Sequence, residues 1–262
     1  MAVGMHAPDS RSGRDSELTH ALASVRSRLA AAAEAAGRNV GEIEVLPITK
    51  YFPATDVVTL SRLGCRVVGE SRDQEARAKV AEVTRLLAAS GHRDDVGNPR
   101  WHMVGHIQRN KAKSVARWAH TAHSVDSAHL VSALDKGVAA ALAEGRRTAP
   151  MRIYVQVSLD GDESRGGVDI SRPGAVDRVC DQVEDSKHLD LVGLMGIPPL
   201  DSDPDEAFDR LQSEHRRVLE SHRDAVGLSA GMSNDFEIAV KHGSTCVRVG
   251  TALLGPRRLP SP

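Results

Sequence analysis

Short apolar segments rich in β-branched residues alternate along the chain with longer segments whose apolar residues recur at helical spacing. A short apolar run bounded by polar residues is typical of a strand that is buried on both faces. Eight such runs predict eight strands. In chain order they are Ile43–Thr49, Arg66–Gly69, Trp101–Gly105, His120–Val125, Arg152–Val157, Leu189–Met195, Leu228–Met232 and Cys246–Gly250.

The segments around these strands predict helices. An opening helix is expected from Ser16 to Ala36, because Gly37 follows it as a stop signal. The polar stretch Gly91–Arg100 predicts a loop before the third strand. The other helices are predicted at Ala54–Leu63, Asp73–Ala89, Gln108–Trp118, Ser127–Ala143, Pro173–Glu184, Pro204–Ser221 and Asn234–His242.

This alternation predicts an α/β fold with parallel strands, because each parallel pair needs a crossover connection that a helix supplies. Eight such units close a (β/α)8 TIM barrel, which typically uses about 250 residues. The chain has 262 residues. We therefore predict a single (β/α)8 TIM barrel with an extra N-terminal helix over residues 15–258. Residues 1–14 are expected to form a disordered leader and residues 259–262 a tail. The alternative is a doubly wound open sheet.

Composition and charge narrow the function classes. Lys and Arg total 34 against 35 Asp and Glu, so the net charge of −1 gives no electrostatic footprint for nucleic acid. No run approaches the ~18 apolar residues of a membrane span, and the polar N-terminus does not resemble a secretory signal. The three cysteines have no metal-ligand spacing and favour a reducing compartment. A cytoplasmic protein without a membrane partner is expected.

The barrel prediction supplies a filter for functional residues, because chemistry in this fold lies at the carboxyl ends of the strands. Lys50 directly follows the first predicted strand. At that position its amine is a candidate nucleophile for Schiff-base chemistry. The alternative is an ordinary exposed lysine, which is the commoner fate of this residue type.

The ends of the last two strands predict a phosphate site. Barrel enzymes often bind phosphate with the loops after strands seven and eight, and Ser233, Gly250 and Thr251 fall there. Glycine allows a ligand to approach the backbone N–H groups closely. A helix N-cap would also explain Ser233. Arg248 lies inside the eighth strand, where we expect a carboxylate or a ligand as its partner.

A metal site is the weaker possibility. His102 and His106 are four residues apart and would share one face if the third strand continued through them. No third ligand stands at recognisable spacing, so no metal is predicted.

Several motifs together resemble the pyridoxal phosphate homeostasis protein family, whose barrel is similar to the N-terminal domain of alanine racemase. The resemblance runs from about Ile43 to Arg257, and each motif is weak by itself, but their number and order are specific. The motifs are VLPITK, GESRDQE, WHMVGHIQRNK, HSVDS, GLMGI, LSAGMSNDFEIAVKHGST and VRVGTALLG.

The resemblance implies that pyridoxal 5′-phosphate (PLP) binds as an internal aldimine on Lys50. It implies that Ser233, Gly250 and Thr251 hold the phosphate and that Arg248 lies beside the pyridine nitrogen. Two further candidates for cofactor binding complete the set. Ser71 stands where the family often has Asn, and Met195 closes the sixth strand, where packing is the alternative.

The family resemblance implies a role in PLP homeostasis as a carrier or regulator, with PLP-dependent apoenzymes as possible partners. An arginine beside the ring nitrogen does not protonate it, which weakens the ring as an electron sink. Tyr51 and Tyr154 are the two tyrosines, and we expect neither to supply the second base of a racemase. We also expect no racemase-type second domain and a monomer. The alternative is a weak amino-acid racemase or another fold-type III PLP enzyme.

Overall fold

The computed structural model describes residues 10–89, 97–162 and 165–256. In these ranges the helices are α1 Ser10–Ala35, α2 Ala54–Arg62, α3 Asp73–Ala89, α4 Ala112–Val115, α5 Ala128–Ala143, α6 Pro173–Glu184, α7 Pro204–Leu219, α8 Phe236–Lys241 and α9 Thr251–Leu254. The strands are β1 Glu44–Pro47, β2 Val67–Glu70, β3 Arg100–Met103, β4 Thr121–Val125, β5 Met151–Ser158, β6 Val168–Asp169, β7 Leu189–Gly196, β8 Gly227–Ser229 and β9 Cys246–Val249.

Eight of these strands form one parallel barrel. Their order is β1, β9, β8, β7, β5, β4, β3 and β2, and every neighbouring pair along it is parallel. The ends of this order meet at an isolated parallel bridge between Ile48 and Gly69, which brings β1 beside β2. The predicted (β/α)8 barrel is thus confirmed, and the open-sheet alternative is wrong.

The apolar runs form strands because both of their faces are covered. All four residues of β2 and of β9 are buried, as expected where helices cover the outside and packed side chains fill the inside. The long helix α1 packs against α8 and α9 through the buried side chains of Leu18, Leu22 and Val25. The extra N-terminal helix therefore belongs to the core.

The structure differs from the predicted boundaries in several places. Helix α1 begins at Ser10, so residues 10–14 of the predicted leader are helical. Arg14 anchors this end through ion pairing with Asp56 at 2.7 Å and a hydrogen bond to the carbonyl of Leu254. Residues 1–9, 90–96, 163–164 and 257–262, which include most of the predicted loop and the tail, lie outside the described residues.

The helix predicted over Gln108–Trp118 is much shorter. A 3-10 turn at Arg109–Lys111 leads into α4, which ends at Val115. The chain then tightens through an i→i+3 bond from the amide of Trp118 to Val115, while the indole of Trp118 donates to Asp73 at 2.9 Å. The two-residue strand β6, which pairs with β5 outside the barrel order, was not predicted.

No helix among the described residues combines the length and apolar character that crossing a membrane requires.

Candidate functional site

The carboxyl ends of the barrel strands surround an open pocket of about 550 Å³. This size is within the range of pockets that hold small molecules. Five of the seven predicted site residues line it, and they come from opposite ends of the sequence: Lys50, Ser233, Arg248, Gly250 and Thr251. The strand-end filter therefore selected residues that the fold brings together.

Lys50 lies on a tight turn directly after β1. The turn runs from Thr49 to Phe52 and is closed by a hydrogen bond of 3.1 Å from the amide of Phe52 to the carbonyl of Thr49; we call it the Lys50 turn. Lys50 is half-buried and lines the pocket. Its neighbour Tyr51 has a φ of 70°, the one positive φ of a residue other than glycine in the described ranges.

Arg248 is held inside the barrel, with 6% of its surface exposed. Its Nη1 donates to both the carbonyl and the hydroxyl of Ser229 at 2.8 Å, and its Nη2 donates to the carbonyl of Gly196 at 3.0 Å. Of the two predicted partners, a carboxylate is not found among the described residues; the three protein partners are oxygens without charge. A guanidinium carries five N–H groups, so two remain on a side chain that lines the pocket.

Two histidines extend this arrangement below the pocket. A ring nitrogen of His123 lies 2.9 Å from the hydroxyl of Ser229, and the other lies 2.9 Å from Nδ1 of His102. We refer to His102, His123, Ser229 and Arg248 as the buried chain. Burial, with the nearby arginine charges, lowers the pKa of His102 to about 3 and that of His123 well below its ordinary value. Both imidazoles are therefore neutral near pH 7.

Three of the residues predicted for the phosphate site lie on two adjacent loops. The hydroxyl of Ser233 accepts a hydrogen bond of 3.2 Å from the amide of Ala252 at the start of α9. Asp235, not Ser233, precedes α8, so the predicted N-cap role in that helix is wrong. Within the described ranges, the backbone N–H groups of Ser233, Gly250 and Thr251 have no protein acceptor. All three residues line the same pocket.

Gly250 leaves its backbone open. An added Cβ would meet nothing closer than Cβ of Ile48 at 3.7 Å, which is an ordinary contact. A clash within the protein therefore does not explain glycine at this position, whereas close approach of a ligand to the backbone would.

Two predicted site residues do not reach the pocket wall. Met195 is 1% exposed and packs with Tyr154 and Val192. This position agrees with the alternative that Met195 has a packing role. Ser71 follows β2, and its backbone carbonyl lies so close to Gly105 that a Cβ there would overlap it. The family resemblance identified Ser71 and the end of the sixth predicted strand identified Met195, and neither fixes the direction of a side chain.

The two histidines considered for a metal do not face each other. His102 is buried, whereas β3 ends at Met103 and His106 is exposed. Among the residues that the structure describes, no group of three or more His, Cys, Asp or Glu side chains is arranged to hold a metal ion.

Sequence reasoning missed much of the pocket wall. The unpredicted lining includes Asn234, which follows Ser233 directly, and an apolar rim. Adjacency in the GMSN motif could have identified Asn234. The rim comes from a loop after β7 and from two other loops, which periodicity does not place: Tyr51, Pro198, Pro199, Leu200 and Met232.

The protein is a parallel eight-strand barrel with a lysine after its first strand and, in the described ranges, unbonded loop N–H groups after its last two. A family model described as the alanine racemase N-terminal domain matches residues 20–258. Solved alanine racemases share the fold. The one from Corynebacterium glutamicum is 16% identical with a TM-score of 0.58, and 94% of this chain matches 62% of that protein.

Sequence relatives define the family more narrowly. A pyridoxal phosphate homeostasis protein of Mycobacterium bovis is 75% identical over 251 residues, which are 95% of this chain and 96% of that protein. The one from Escherichia coli K12 is 30% identical over 92% of this chain and 97% of its own length. The chain therefore belongs to the family of pyridoxal phosphate homeostasis proteins.

One solved relative carries the cofactor. The structure of PipY of Synechococcus elongatus with PLP bound is 28% identical and has a TM-score of 0.74. The match covers 91% of this chain and all of PipY.

Proposed function

We propose that this protein binds PLP in the pocket as a Schiff base on Lys50 and acts as a carrier or regulator of the PLP pool. The observation that carries the proposal is the convergence of Lys50, Arg248 and the open amides around Ser233 and Gly250 on one pocket. PLP-dependent apoenzymes are the proposed recipients, and a cytoplasmic monomer is the proposed form. The PLP-bound relative PipY supports the choice of cofactor.

The donor groups fit each part of this cofactor. The ring nitrogen is an acceptor, and Arg248 has two N–H groups that no described protein atom uses. The phosphate suits the N–H groups of Ser233, Gly250 and Thr251, because backbone N–H groups are strong anion donors. The neutral amine of Lys50 would add to the aldehyde, form a C=N bond and release water.

Two features favour holding over turnover. Bound PLP acts in catalysis as an electron sink, and a partner that keeps its own proton does not strengthen that sink. Neither tyrosine is suited to act as a base opposite Lys50. The ring of Tyr154 is buried against His123 with centroids 4.5 Å apart, and burial raises the pKa of its hydroxyl. Tyr51 belongs to the same turn as Lys50.

The first test is chemical trapping. Protein saturated with PLP is reduced with borohydride, digested and analysed by mass spectrometry. The reduced adduct is expected on Lys50 and absent from a Lys50→Ala variant. Lys136→Ala, which removes an exposed lysine on α5, is the matched control and keeps the adduct. An adduct spread over several surface lysines would contradict the proposal.

A second test separates a carrier from an enzyme. The loaded protein is incubated with a panel of amino acids in deuterium oxide, and exchange at Cα and inversion are followed by NMR and chiral chromatography. Neither is expected above the rate with free PLP. Exchange with inversion would favour the racemase alternative, and exchange without inversion would indicate chemistry with one base.

A further inference from the structure

The Lys50 turn adopts a backbone conformation that its sequence does not favour. Its third residue, Tyr51, has a φ of 70°, a region that a Cβ penalises and that glycine or asparagine usually occupies. The side chain of Tyr51 is 40% exposed, and the guanidinium of Arg72 lies 5.6 Å from the centroid of its ring. A backbone conformation of this kind persists where the surrounding structure holds the turn in place.

Thr49, the first residue of the turn, is bonded through all of its polar groups. Its amide donates to the carbonyl of Gly69 at 2.9 Å, and its hydroxyl donates to Oε1 of Glu70 at 2.7 Å. Its carbonyl accepts from Nζ of Lys79 at 2.8 Å as well as from Phe52. Residues on β2 and α3 therefore fix the exact point where β1 passes into the turn.

The two side chains that hold Thr49 form an ion pair that is mostly removed from water. Nζ of Lys79 lies 2.6 Å from Oε1 of Glu70, and the two side chains are 11% and 0% exposed. The second oxygen of this carboxylate, Oε2, is buried and has no partner among the described residues. A buried pair of this kind is commonly no more stabilising than apolar side chains of similar volume.

Stability is therefore a poor explanation for charges at this place, and geometry is a better one. An apolar pair could not donate to the carbonyl of Thr49 or accept from its hydroxyl. We propose that Glu70 and Lys79 are positioning residues, which together with Thr49 form a clamp that holds the Lys50 turn so that the amine of Lys50 meets the carbonyl of its ligand. This inference rests on the proposed function.

The test uses Glu70→Gln/Lys79→Met, which removes both charges together and so leaves no buried charge unpaired. Glutamine keeps an acceptor for Thr49, while methionine removes the donor to its carbonyl. The control is Glu214→Gln, which breaks a partly buried ion pair with Arg217 on α7. Two ligands are compared in each apoprotein: PLP, and pyridoxine 5′-phosphate, which has an alcohol in place of the aldehyde.

The double variant should form the borohydride-fixed adduct on Lys50 about tenfold or more slowly, because small misplacements of reacting groups have effects of this size. Its affinity for pyridoxine 5′-phosphate should equal that of the wild type. Adduct formation at the wild-type rate would overturn the inference, as would loss of both ligands in parallel. If the wild-type protein binds neither ligand, the proposed function itself fails.

A rescue experiment tests the conformational argument. Tyr51→Gly, added to the double variant, should restore the rate, because glycine adopts a positive φ without a steric penalty. A triple variant as slow as the double variant would overturn the inference. If the double variant does not fold, Thr49→Val, which removes only the hydroxyl bond, is measured in its place. The same slowing is expected, and a wild-type rate is the contradicting result.

Discussion

The two basic side chains of the pocket, Arg248 and Lys50, are held in different ways. On one side, Arg248 ends a buried chain whose other members are a serine and two neutral histidines. On the other, the half-buried Lys50 stands on a strained turn that a buried ion pair holds from behind. The basic side chain that stays fixed, Arg248, is embedded in the core, and the amine proposed to react, that of Lys50, is at the rim.

Because of this difference, substitutions on the two sides should affect different properties: folding stability on one side and ligand chemistry on the other. Removing a buried group leaves its partners without hydrogen bonds, which is costly, whereas removing a rim side chain leaves water in its place. We therefore expect changes to the buried chain to affect folding and changes at Lys50 to affect ligand chemistry. The following predictions concern the apoprotein and are ordered from the largest expected effect.

Acid should destabilise the protein through the buried chain. The folded-state pKa of His102, about 3, is below its ordinary 6.5, and that of His123 is also lowered. As the pH falls, these histidines therefore bind protons in the unfolded protein before they do so in the folded protein. The stability that they contribute is fully present above about pH 6.5 and decreases as the pH falls toward 3. For His102 the expected loss is about 2 kcal/mol between pH 6.5 and pH 4.5, and the lowered pKa of His123 acts in the same direction.

Urea unfolding across this pH range measures the effect. His102→Gln should flatten the acid limb, and the exposed His106 provides the control, since His106→Gln should leave it unchanged. Equal slopes for the wild type and His102→Gln would show that the buried chain does not cause the loss.

Among single substitutions in the buried chain, replacement of Arg248 should lower the free energy of unfolding the most. Arg248→Met leaves the carbonyls of Ser229 and Gly196 without their donors, so the free energy of unfolding should fall by about 3 kcal/mol. Arg62→Met, at an exposed position on α2, should change it by less than about 0.5 kcal/mol. Equal stabilities of the two variants in urea would refute the assignment.

Removing the link within the buried chain should have an intermediate effect. Ser229→Ala takes away the hydroxyl that joins Arg248 to His123, at an expected cost of about 1 to 2 kcal/mol. Ser61→Ala is the control, because that buried hydroxyl bonds only within its own helix. A double-mutant cycle with His123→Ala should give a non-zero coupling energy, and strict additivity would argue against a connected network.

The smallest effect on folding is expected at the residue with the largest proposed effect on chemistry. Lys50→Ala should change the free energy of unfolding by less than about 0.5 kcal/mol, because its amine has no hydrogen-bond partner in the described ranges. Thermal and urea unfolding of the apoprotein measure this. A loss as large as that of Ser229→Ala would remove the contrast between the two sides.

The barrel was predictable because its signal is repeated eight times along the chain. Every predicted barrel strand exists, with boundaries shifted by a few residues, and the seventh is the three-residue β8. The positions of Lys50, Ser233 and Gly250 at one pocket also followed from strand ends, since parallel strands bring those ends together. Periodicity therefore carries both the fold and the location of the site.

The periodicity of apolar residues did not predict where a side chain points or which residue it pairs with. Met195 occupies a strand end like Lys50 but points into packed side chains. The partners of Arg248 are mainly backbone carbonyls. Every residue has a backbone carbonyl, so the residue types in the sequence do not reveal such partners. The clamp joins Lys79 to Glu70 and Thr49 across an element boundary, and only the packing of α3 against the barrel brings it together.

The way in which the barrel closes affects where its strands can open locally. Strands β1 and β2 meet through an isolated bridge at Ile48 and Gly69 instead of a continuous ladder. Local opening is easier where few backbone bonds must break, so amide hydrogen exchange should be faster along this seam than along the seven-pair junction of β5 and β7. Because the Lys50 turn and the clamp lie directly above this seam, we expect opening there to change the mouth of the barrel beside the proposed reacting amine.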